Sequence, residues 1–302
     1  MTQRVKKGRD ISGIIILDKP LNISSNHAVQ RIKRLFGAKK VGHTGSLDPL
    51  ASGVLPICLG HATKVSQYLL ASDKTYQFTM KLGQTTTTGD VESDVVLERP
   101  IPPLDQEVIN ALLVSFCGPI QQVPPMYSAL KHNGQRLYAL AREGKTVDRP
   151  SREVTINSLS LISQTPESLT LEVSCTKGTY VRTLAEDLGE KIGCGAHVTF
   201  LRRIKTGPFE LTSSLTLEQL EESAGDWAKL DCLLLDIDVA LLDYPVVICD
   251  ELQKTDLCMG RRINIVDLIN QPLIRMNDPQ GKIFGLGKWS EGHQLAPVKI
   301  FA

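Results

Sequence analysis

A glycine-rich string at residues 42–53 holds the side chains best suited to chemistry in this 302-residue sequence. It reads Gly-His-Thr-Gly-Ser-Leu-Asp-Pro-Leu-Ala-Ser-Gly. The string fits neither the G-x-x-x-x-G-K-[ST] phosphate loop nor the G-x-S-x-G nucleophile elbow. What remains is the carboxylate of Asp48 and the imidazole of His43 in a turn. A carboxylate is ionised at neutral pH, so it can act as a nucleophile or a proton acceptor without prior activation.

Each candidate side chain also has a structural interpretation. Asp48 precedes a proline, which is typical of a turn whose carboxylate accepts nearby backbone N–H groups. His43 taken alone is more often a structural hydrogen-bonding residue. Tyr76 shares the face of an alternating strand with Phe78, which is typical of a core ring. The pattern alone favours these structural interpretations without excluding a catalytic site.

Regular elements must position these side chains, and the sequence predicts several of them. Short apolar stretches predict strands at residues 11–17 and 54–59, and alternation predicts strands at 74–82 and 169–175. Helical spacing predicts helices after Ser24, over 105–116 and over 179–192. Because strands and helices mix in irregular order, we predict an α/β fold of the α+β type with a mixed, mainly antiparallel sheet. Short apolar segments separated by turns after residue 245 predict a small C-terminal β-barrel.

Charge is segregated along the chain, although the net charge is only +1. Residues 1–40 carry ten Lys or Arg against two Asp, whereas residues 210–256 carry twelve Asp or Glu against two Lys. Residues 121–152 hold six Lys or Arg interleaved with Tyr127, His132 and Tyr138. This stretch is typical of a clamp on a nucleic acid, because cations neutralise phosphates and rings stack on bases. A polar surface segment that contains a short helix at 135–143 explains the composition of this stretch equally well.

Cysteines and apolar runs limit the class of protein. Seven cysteines without a C-x-x-C pair predict reduced, buried thiols and neither a zinc site nor a disulfide framework. The longest apolar run, residues 14–17, is too short to span a bilayer, and no cleavable apolar stretch follows the basic start. We therefore expect a cytoplasmic protein that has no membrane segment and binds no metal.

The string at 42–53 resembles the catalytic motif of the bacterial TruB family of tRNA pseudouridine-55 synthases, which runs G-H-T-G-T-L-D-P and continues through A-x-G-V-L-P. Ser46 replaces the usual Thr, which removes no reacting group. The resemblance extends over essentially the whole chain. Further matching motifs, in order, are Asp18-Lys19-Pro20, Ala62-Thr63-Lys64, Asp73-Lys74-Thr75-Tyr76, the stretch from Val123 to Lys131, Gly178-Thr179-Tyr180-Val181-Arg182, Leu201-Arg202-Arg203 and Gly207-Pro208-Phe209.

The resemblance implies an enzyme that isomerises uridine 55, in the T-arm loop of tRNA, to pseudouridine by flipping the base and without a cofactor. Asp48 would be the catalytic aspartate. The other site residues would bind the substrate: Tyr76 stacked on the uracil, Arg182 paired with Asp48, Tyr180 and Leu201 in the base pocket, and His43 against the RNA.

The resemblance also implies a division of the chain into domains. Residues 1–245 would form the pseudouridine synthase catalytic domain, in which the basic insertion at 121–152 is a thumb over the tRNA arm. Residues 246–302 would form a PUA-like RNA-binding domain. We expect the protein to be a monomer whose partner is tRNA.

Two other functions fit parts of the sequence. A non-catalytic tRNA-binding or folding chaperone could use the same basic insertion and C-terminal domain, and it predicts that Asp48→Asn leaves every activity intact. A nucleoside hydrolase or glycosylase also pairs a carboxylate with a flipped base, and it predicts the release of free uracil.

Overall fold

A computed structural model describes residues 8–265, 273–290 and 294–301. The strands up to residue 210 are β1 (Gly13–Lys19), β2 (Val41–His43), β3 (Ala51–Leu59), β4 (Lys74–Leu82), β5 (Gln84–Thr86), β6 (Val95–Glu98), β7 (Gly118–Gln122), β8 (Lys131–His132), β9 (Gln135–Arg136), β10 (Arg152–Thr165), β11 (Ser168–Cys175), β12 (Ala196–Thr206) and β13 (Phe209–Glu210). The later strands are β14 (Val246–Ile248), β15 (Ile263–Asn264), β16 (Ile274–Asn277), β17 (Ile283–Ser290) and β18 (Gln294–Ile300). The helices are α1 (Ser25–Leu35), α2 (Ser66–Ala71), α3 (Gln106–Ser115), α4 (Leu137–Arg142), α5 (Val181–Ile192), α6 (Leu217–Glu221), α7 (Trp227–Cys232) and α8 (Glu251–Cys258).

The main sheet contains nine strands within the described part of the chain. Its order is β1-β3-β12-β4-β11-β10-β7, with β2 beside β3 and β13 beside β12. Every neighbouring pair is antiparallel except β3 and β12, which run parallel. The predicted mixed, mainly antiparallel sheet is therefore confirmed.

The parallel pair depends on one glycine. Gly53 has φ +102°, and a Cβ atom added there would lie 2.1 Å from the carbonyl oxygen of Arg203 on β12. Only glycine tolerates both this φ and this approach of two backbones. The contact fixes the register that places Leu201 beside Ala51, where β3 begins.

Helices α1 and α5 cover one face of the sheet. Helix α1 begins at the expected cap, where the hydroxyl of Ser24 accepts the His27 N–H at 3.1 Å. Its buried residues Ala28, Val29 and Ile32 recur at helical spacing and pack into the main core. Helix α5 turns its apolar side toward the same core and ends at Gly193, which has φ 99°.

Both faces of the sheet are buried, as β1 shows. Ile15 and Leu17 enter the core under α1 and α5, whereas Ile14 and Ile16 enter a second apolar cluster on the opposite face. A strand covered on both sides needs an unbroken apolar run rather than an alternating one. The run at 14–17 thus forms a strand that is buried on both faces, although it stands at one end of the strand order.

The residues after 245 form a second sheet against that opposite face. Its five strands in the described ranges have the order β14-β16-β17-β18-β15, which fits the expected small barrel-like domain. Leu286 and Phe301 share the cluster of Ile14, and Nζ of Lys64 donates to the Ile300 carbonyl oxygen at 2.9 Å. The parts of the expected domains at 1–7, 266–272, 291–293 and 302 lie outside the described residues.

The basic insertion at 121–152 contains only short elements between its ends. The hairpin of β8 and β9 is followed by α4, which is shorter than the helix predicted at 135–143. Leu137 and Leu140 are the buried residues of α4. The guanidinium carbons of Arg136 and Arg142 lie 5.8 and 5.7 Å from the ring centre of Tyr138. The insertion therefore presents exposed cations beside a half-buried ring.

The cysteines follow the prediction only in part. All are free, and the buried ones are Cys58, Cys175, Cys194 and Cys249. The expectation of buried thiols was wrong for three exposed residues, Cys117, Cys232 and Cys258. These lie at or just after the ends of α3, α7 and α8, where the chain turns toward solvent. In the ranges that the structure describes, no helix combines the length and the apolar character needed to cross a membrane.

Candidate active site

The loop that carries Asp48 joins β2 to β3 and is held through its backbone. The hydroxyl of Ser25, at the start of α1, accepts the Leu47 N–H at 2.7 Å and donates to the Leu47 carbonyl oxygen at 2.9 Å. The carbonyl oxygen of Asp48 accepts the Ala51 N–H at 3.1 Å, where β3 begins. Asp48 thus lies in a turn, as its sequence context suggests, but the hydrogen bond of the turn is accepted by its backbone carbonyl oxygen rather than by its carboxylate.

The strand register brings three predicted site residues to one end of the sheet. Leu201 on β12 pairs with Ala51, three residues after Asp48. Two residues farther along β12, Arg203 pairs with Tyr76 on β4. Residues of β12 therefore lie between the Asp48 loop on one side and Tyr76 on the other.

The start of α5 adds Tyr180 and Arg182 to this end of the sheet. Tyr180 is held by the side-chain amide of Gln122, which donates to its carbonyl oxygen at 3.1 Å and accepts its N–H at 2.7 Å. The guanidinium carbon of Arg152 lies 4.9 Å from the ring centre of Tyr180. Both partners of Tyr180 come from the ends of the basic insertion, so the insertion is anchored at the site.

Arg182 is the most connected side chain of the site. Its side chain is 4% exposed, and its Nη2 lies 2.9 Å from Oδ2 of Asp48, while Nη1 lies 3.4 Å from Oδ2 of the buried Asp90. It also donates to the carbonyl oxygens of Thr88 at 2.9 Å and of Tyr127 at 2.8 Å. A guanidinium can satisfy this set of acceptors because its N–H groups point outward in one plane.

These residues enclose a pocket of about 300 Å³. Five of the six predicted site residues line it: Asp48, Tyr76, Tyr180, Arg182 and Leu201. Lys74, Ser128 and Arg203 are further lining residues, for which no role was predicted.

His43 is the predicted site residue that the structure does not place in the lining of this pocket. Its Nδ1 accepts the Gly45 N–H at 3.2 Å, so it supports the loop two residues away. Burial and the charge of Arg203 lower the pKa of His43 below its ordinary value. The imidazole is therefore neutral at pH 7, which agrees with its role as an acceptor.

The charge of Asp48 is balanced between opposing effects. Desolvation raises the pKa of Asp48, Arg182 lowers it, and the second carboxylate of Asp90 raises it again, with a net upward direction. The side chain is 41% exposed and lines the pocket, so a bound substrate would desolvate it further. Arg182 therefore limits the cost of keeping this carboxylate ionised.

Arg203 supports Tyr76 and the Asp48 loop at the same time. It is 1% exposed, and its Nε and Nη2 donate to the carbonyl oxygens of Val54 at 2.7 Å and Gly45 at 3.1 Å. Burial raises the pKa of the Tyr76 phenol, although Arg203 opposes the rise. The phenol is therefore neutral at physiological pH and offers an aromatic face.

Sequence reasoning missed several charged residues of the site. Asp90 is 1% exposed and lies in a threonine-rich turn that carries no periodic signal. Lys19 is 0% exposed and donates at 2.8 Å to the carbonyl oxygens of Pro20 and Ile23. Desolvation lowers the pKa of Lys19 to about 8, against the attraction of Asp48. Lys19 and Arg203 stood in matching motifs, but only their burial marks them as part of the site.

This arrangement suits covalent or acid–base chemistry on a planar base. It offers one carboxylate with a balancing guanidinium, a neutral ring for stacking and an apolar wall that includes Val181 and Leu201. Within residues 8–265, 273–290 and 294–301, no three His, Cys, Asp or Glu side chains are grouped to hold a metal ion.

Comparisons with known proteins agree with this geometry. A family model described as TruB family pseudouridylate synthase (N terminal domain) matches residues 33–181, and one for the tRNA pseudouridylate synthase B C-terminal domain matches residues 182–242. The chain is 47% identical to the tRNA pseudouridine synthase B of Pseudomonas putida (strain GB-1), with 99% of each chain covered. It is also 47% identical to that of Methylobacillus flagellatus, covering 99% of this chain and 97% of the relative. A chain in a crystal structure of a Cbf5-Nop10-Gar1 complex has the same fold, with a TM-score of 0.73 and 24% identity over 96% of this chain and 85% of that chain.

Proposed function

The chain belongs to the TruB family of pseudouridylate synthases, and from that premise we propose that it converts uridine 55 of tRNA to pseudouridine with Asp48 as the catalytic carboxylate. Relatives at 47% identity over 99% of the chain make it a tRNA pseudouridine synthase, which is an isomerase. The choice of position 55, in the T-arm loop, rests on the resemblance of residues 42–53 to the catalytic motif of the uridine-55 enzymes.

The ion pair of Asp48 and Arg182 inside a base-sized pocket is the observation that carries this proposal. A carboxylate that serves only as a turn former has no need of a guanidinium that is 4% exposed at 2.9 Å. Burying that guanidinium is costly unless its partners are retained. Tyr76, Tyr180 and Leu201 add the ring faces and the apolar wall that a flipped uracil requires.

The reaction needs no oxidant and no added group. The bond from uracil N1 to ribose C1′ breaks, C1′ bonds to C5, the proton leaves C5, and N1 ends with a proton. Attack on C1′, attack on C6 and removal of a sugar proton are three ways to begin, and each uses the Asp48 carboxylate. The pocket supplies that carboxylate, so the proposed enzyme acts without a cofactor or a metal.

Extrusion of the base from the RNA stack costs a few kcal/mol. Stacking on Tyr76 returns about 1 to 3 kcal/mol of this. The ring is suited to that task because it is half-buried in the sheet and is also exposed to the pocket. The core interpretation and the functional interpretation of Tyr76 are therefore compatible.

Two surfaces are proposed to hold the tRNA outside the pocket. The insertion at 121–152 acts as a thumb, since it presents exposed cations beside the half-buried ring of Tyr138. The sheet after residue 245 acts as a PUA-like RNA-binding domain, beside a catalytic domain of residues 1–245 that includes His43 as an RNA contact. The enzyme is proposed to work as a monomer in the cytoplasm.

Asp48→Asn provides the direct test. The variant keeps the shape and the turn of Asp48 but loses the carboxylate, so we expect it to bind tRNA and to lose turnover by more than about 1000-fold. Turnover is measured as tritium released from tRNA labelled at uracil C5, and the modified position is mapped in the product. Asp243→Asn, at an exposed aspartate, is the matched control and should behave as wild type.

The same assay separates the alternatives. Turnover of Asp48→Asn within tenfold of wild type would contradict the catalytic role of this carboxylate. Wild-type protein that binds and folds tRNA but releases no tritium would be a chaperone. Free uracil in the products would identify a glycosylase, and pseudouridine at another position would overturn the assignment to position 55.

A further inference from the structure

The hydroxyl of Ser128 is a buried polar group without a protein partner. Ser128 is 5% exposed, and its Oγ makes no hydrogen bond within the described structure. It lies at the root of the basic insertion and lines the same pocket as Asp48 and Tyr76. Buried hydroxyls are usually paired, because an unpaired one loses its hydration without compensation.

The backbone on both sides of Ser128 is fixed. Its N–H donates to the Met126 carbonyl oxygen at 2.9 Å, and its own carbonyl oxygen accepts the Tyr138 N–H at 3.1 Å. The preceding carbonyl, of Tyr127, accepts a bond from Nη2 of Arg182 at 2.8 Å. The guanidinium that pairs with Asp48 therefore also holds the peptide next to Ser128, so the main chain that carries the hydroxyl is fixed.

An unpaired hydroxyl alone does not mark a binding residue. The hydroxyl oxygens of Thr183 and Thr206 are also buried and unpaired in this structure. Neither residue lines the pocket. Ser128 differs because its unpaired oxygen belongs to a residue of the pocket wall, where the missing partner can be part of the substrate.

We propose, on the basis of the proposed function, that the Ser128 hydroxyl donates a hydrogen bond to a carbonyl oxygen of the target uracil and holds the base while it is detached from the ribose. Uracil has two carbonyl oxygens, O2 and O4, on either side of N3. The isomerisation exchanges N1 and C5, which is equivalent to a half-turn about the axis through N3 and C6. That half-turn also exchanges O2 and O4.

A single fixed donor can therefore serve both halves of the reaction. The hydroxyl meets one carbonyl oxygen before the turn and the other carbonyl oxygen after it. Ser128 thus retains the free base between breakage of the N1 bond and formation of the C5 bond, a period in which no covalent link holds the base to the sugar. Its contribution belongs to turnover and much less to the binding of intact tRNA, which has many other contacts.

Ser128→Ala tests this role by removal of the donor. We expect the rate at saturating tRNA to fall by about 10- to 100-fold with a change in tRNA Kd of less than about threefold, since one buried hydrogen bond is lost in a late step. Ser128→Cys, which is similar in size but donates weakly, should lose nearly as much. Thr206→Val removes an unpaired buried hydroxyl outside the pocket and is the matched control, with activity expected to be unchanged.

A substituted substrate distinguishes a bond to the base from a structural role. In tRNA with 4-thiouridine or 2-thiouridine at the target position, a carbonyl oxygen is replaced by sulfur, which is a weaker acceptor. Each thio substrate should slow wild type several-fold more than it slows Ser128→Ala, because the variant has no bond left to weaken. An equal slowing of both enzymes would overturn the proposal, as would Ser128→Ala turnover within twofold of wild type.

The outcomes also distinguish a failure of the Ser128 assignment from a failure of the proposed function on which it rests. Absence of tritium release by the wild-type enzyme would refute the proposed function itself, and the role of Ser128 with it. Normal wild-type turnover together with a fully active Ser128→Ala variant would refute only the assignment of Ser128. If Ser128→Ala does not fold, the Ser128→Cys variant and the thio substrates give the same decision.

Discussion

The sheet side of the pocket and the tip of the insertion, residues 131–145, are built in opposite ways. On the sheet side, Lys19 and Arg203 are 0% and 1% exposed, and each bonds two backbone carbonyl oxygens. At the tip, Leu137 and Leu140 are the buried residues, and the charged side chains face solvent. The sheet side orders its charges before substrate arrives, whereas the tip keeps its charges adaptable.

The difference matches two kinds of task. Chemistry requires reacting groups to be held close to their productive geometry, which buried and bonded side chains achieve. Binding to a polyanion requires only that cations reach phosphates, which the exposed side chains of the tip can do. Arg182 joins the two regions, since it pairs with Asp48 and also bonds the Tyr127 carbonyl at the root of the insertion. We therefore expect losses of turnover and folding from the sheet side, and losses of affinity from the tip.

Two glycines with positive φ give the largest expected difference in stability between the sheet side and the tip. At Gly53, φ +102°, a Cβ would lie 2.1 Å from the Arg203 carbonyl oxygen, whereas at Gly134, φ +85°, it would meet nothing within 4 Å. Gly53→Ala should separate β3 from β12 and destabilise the fold by more than about 4 kcal/mol. Gly134→Ala should cost about 1 to 2 kcal/mol, from backbone strain alone.

The free energy of unfolding in urea measures both variants. Each replaces a glycine by alanine at positive φ, so backbone strain is common to the two and the difference reports the close approach of the strands. If Gly53→Ala and Gly134→Ala lost the same free energy of unfolding, the sheet side would not be the more tightly packed region, and the contrast between the two regions would fail.

Arg182→Met should cause the largest loss of turnover apart from changes at Asp48 itself. Removal of one partner from a buried ion pair costs about 3 to 5 kcal/mol, which corresponds to roughly a 150- to 5000-fold lower rate. Arg182→Lys keeps the charge but is also expected to lose most activity, because one ammonium cannot reach Asp48, Asp90 and two carbonyl oxygens together. Tritium release at saturating tRNA measures both variants.

A turnover of Arg182→Met within tenfold of wild type would show that Asp48 does not depend on this ion pair. If Arg182→Met lost tRNA affinity but kept its turnover, Arg182 would serve RNA binding, as the tip does, rather than catalysis. The pH profile adds a second readout, because loss of the guanidinium removes the main charge that lowers the pKa of Asp48.

Turnover of the wild-type enzyme should fall at acidic pH while tRNA binding persists. Asp48 must be ionised, and desolvation raises its pKa, so protonation begins at a higher pH than for an ordinary aspartate near about 4. The single-turnover rate should then drop about tenfold per pH unit below that raised pKa. Contacts between the tip and the tRNA phosphates do not involve the Asp48 carboxylate, so they do not depend on its ionisation.

Single-turnover rates and tRNA Kd measured side by side between about pH 4.5 and 8 test this separation. The rate should decline with falling pH in a range where Kd changes little. A rate that is constant to about pH 4.5, or a rate that follows Kd, would refute the dependence of catalysis on an Asp48 with a raised pKa.

Local elements of the site could be predicted because short-range patterns determine them. The strand predicted at 74–82 is β4, and the helix predicted after Ser24 is α1. The parallel pairing of β3 with β12 could not be predicted, because it depends on the approach of residues 53 and 203, far apart in sequence.

Asp48 and Tyr76 explain why pattern alone favoured structural interpretations. The Asp48 carbonyl does form a turn bond, and Tyr76 does pack against the main core. The same residues also line the pocket. Asp90 gave no signal, since only the fold brings a threonine-rich turn to Arg182. The roles of the site residues remain predictions until the variants are measured.

The smallest expected effect is at the tip itself. Arg142 is exposed, and its guanidinium carbon lies 5.7 Å from the ring centre of Tyr138, so Arg142→Gln removes one cation without disturbing buried structure. We expect tRNA Kd to rise a few-fold and the slope of log Kd against log salt to fall by about 1, with no change in the rate at saturating tRNA. Lys229→Gln, in the acidic stretch, should change neither quantity. A tenfold lower saturated rate in Arg142→Gln would mean that the tip takes part in chemistry, because a lost phosphate contact is compensated by excess tRNA and a lost catalytic contact is not.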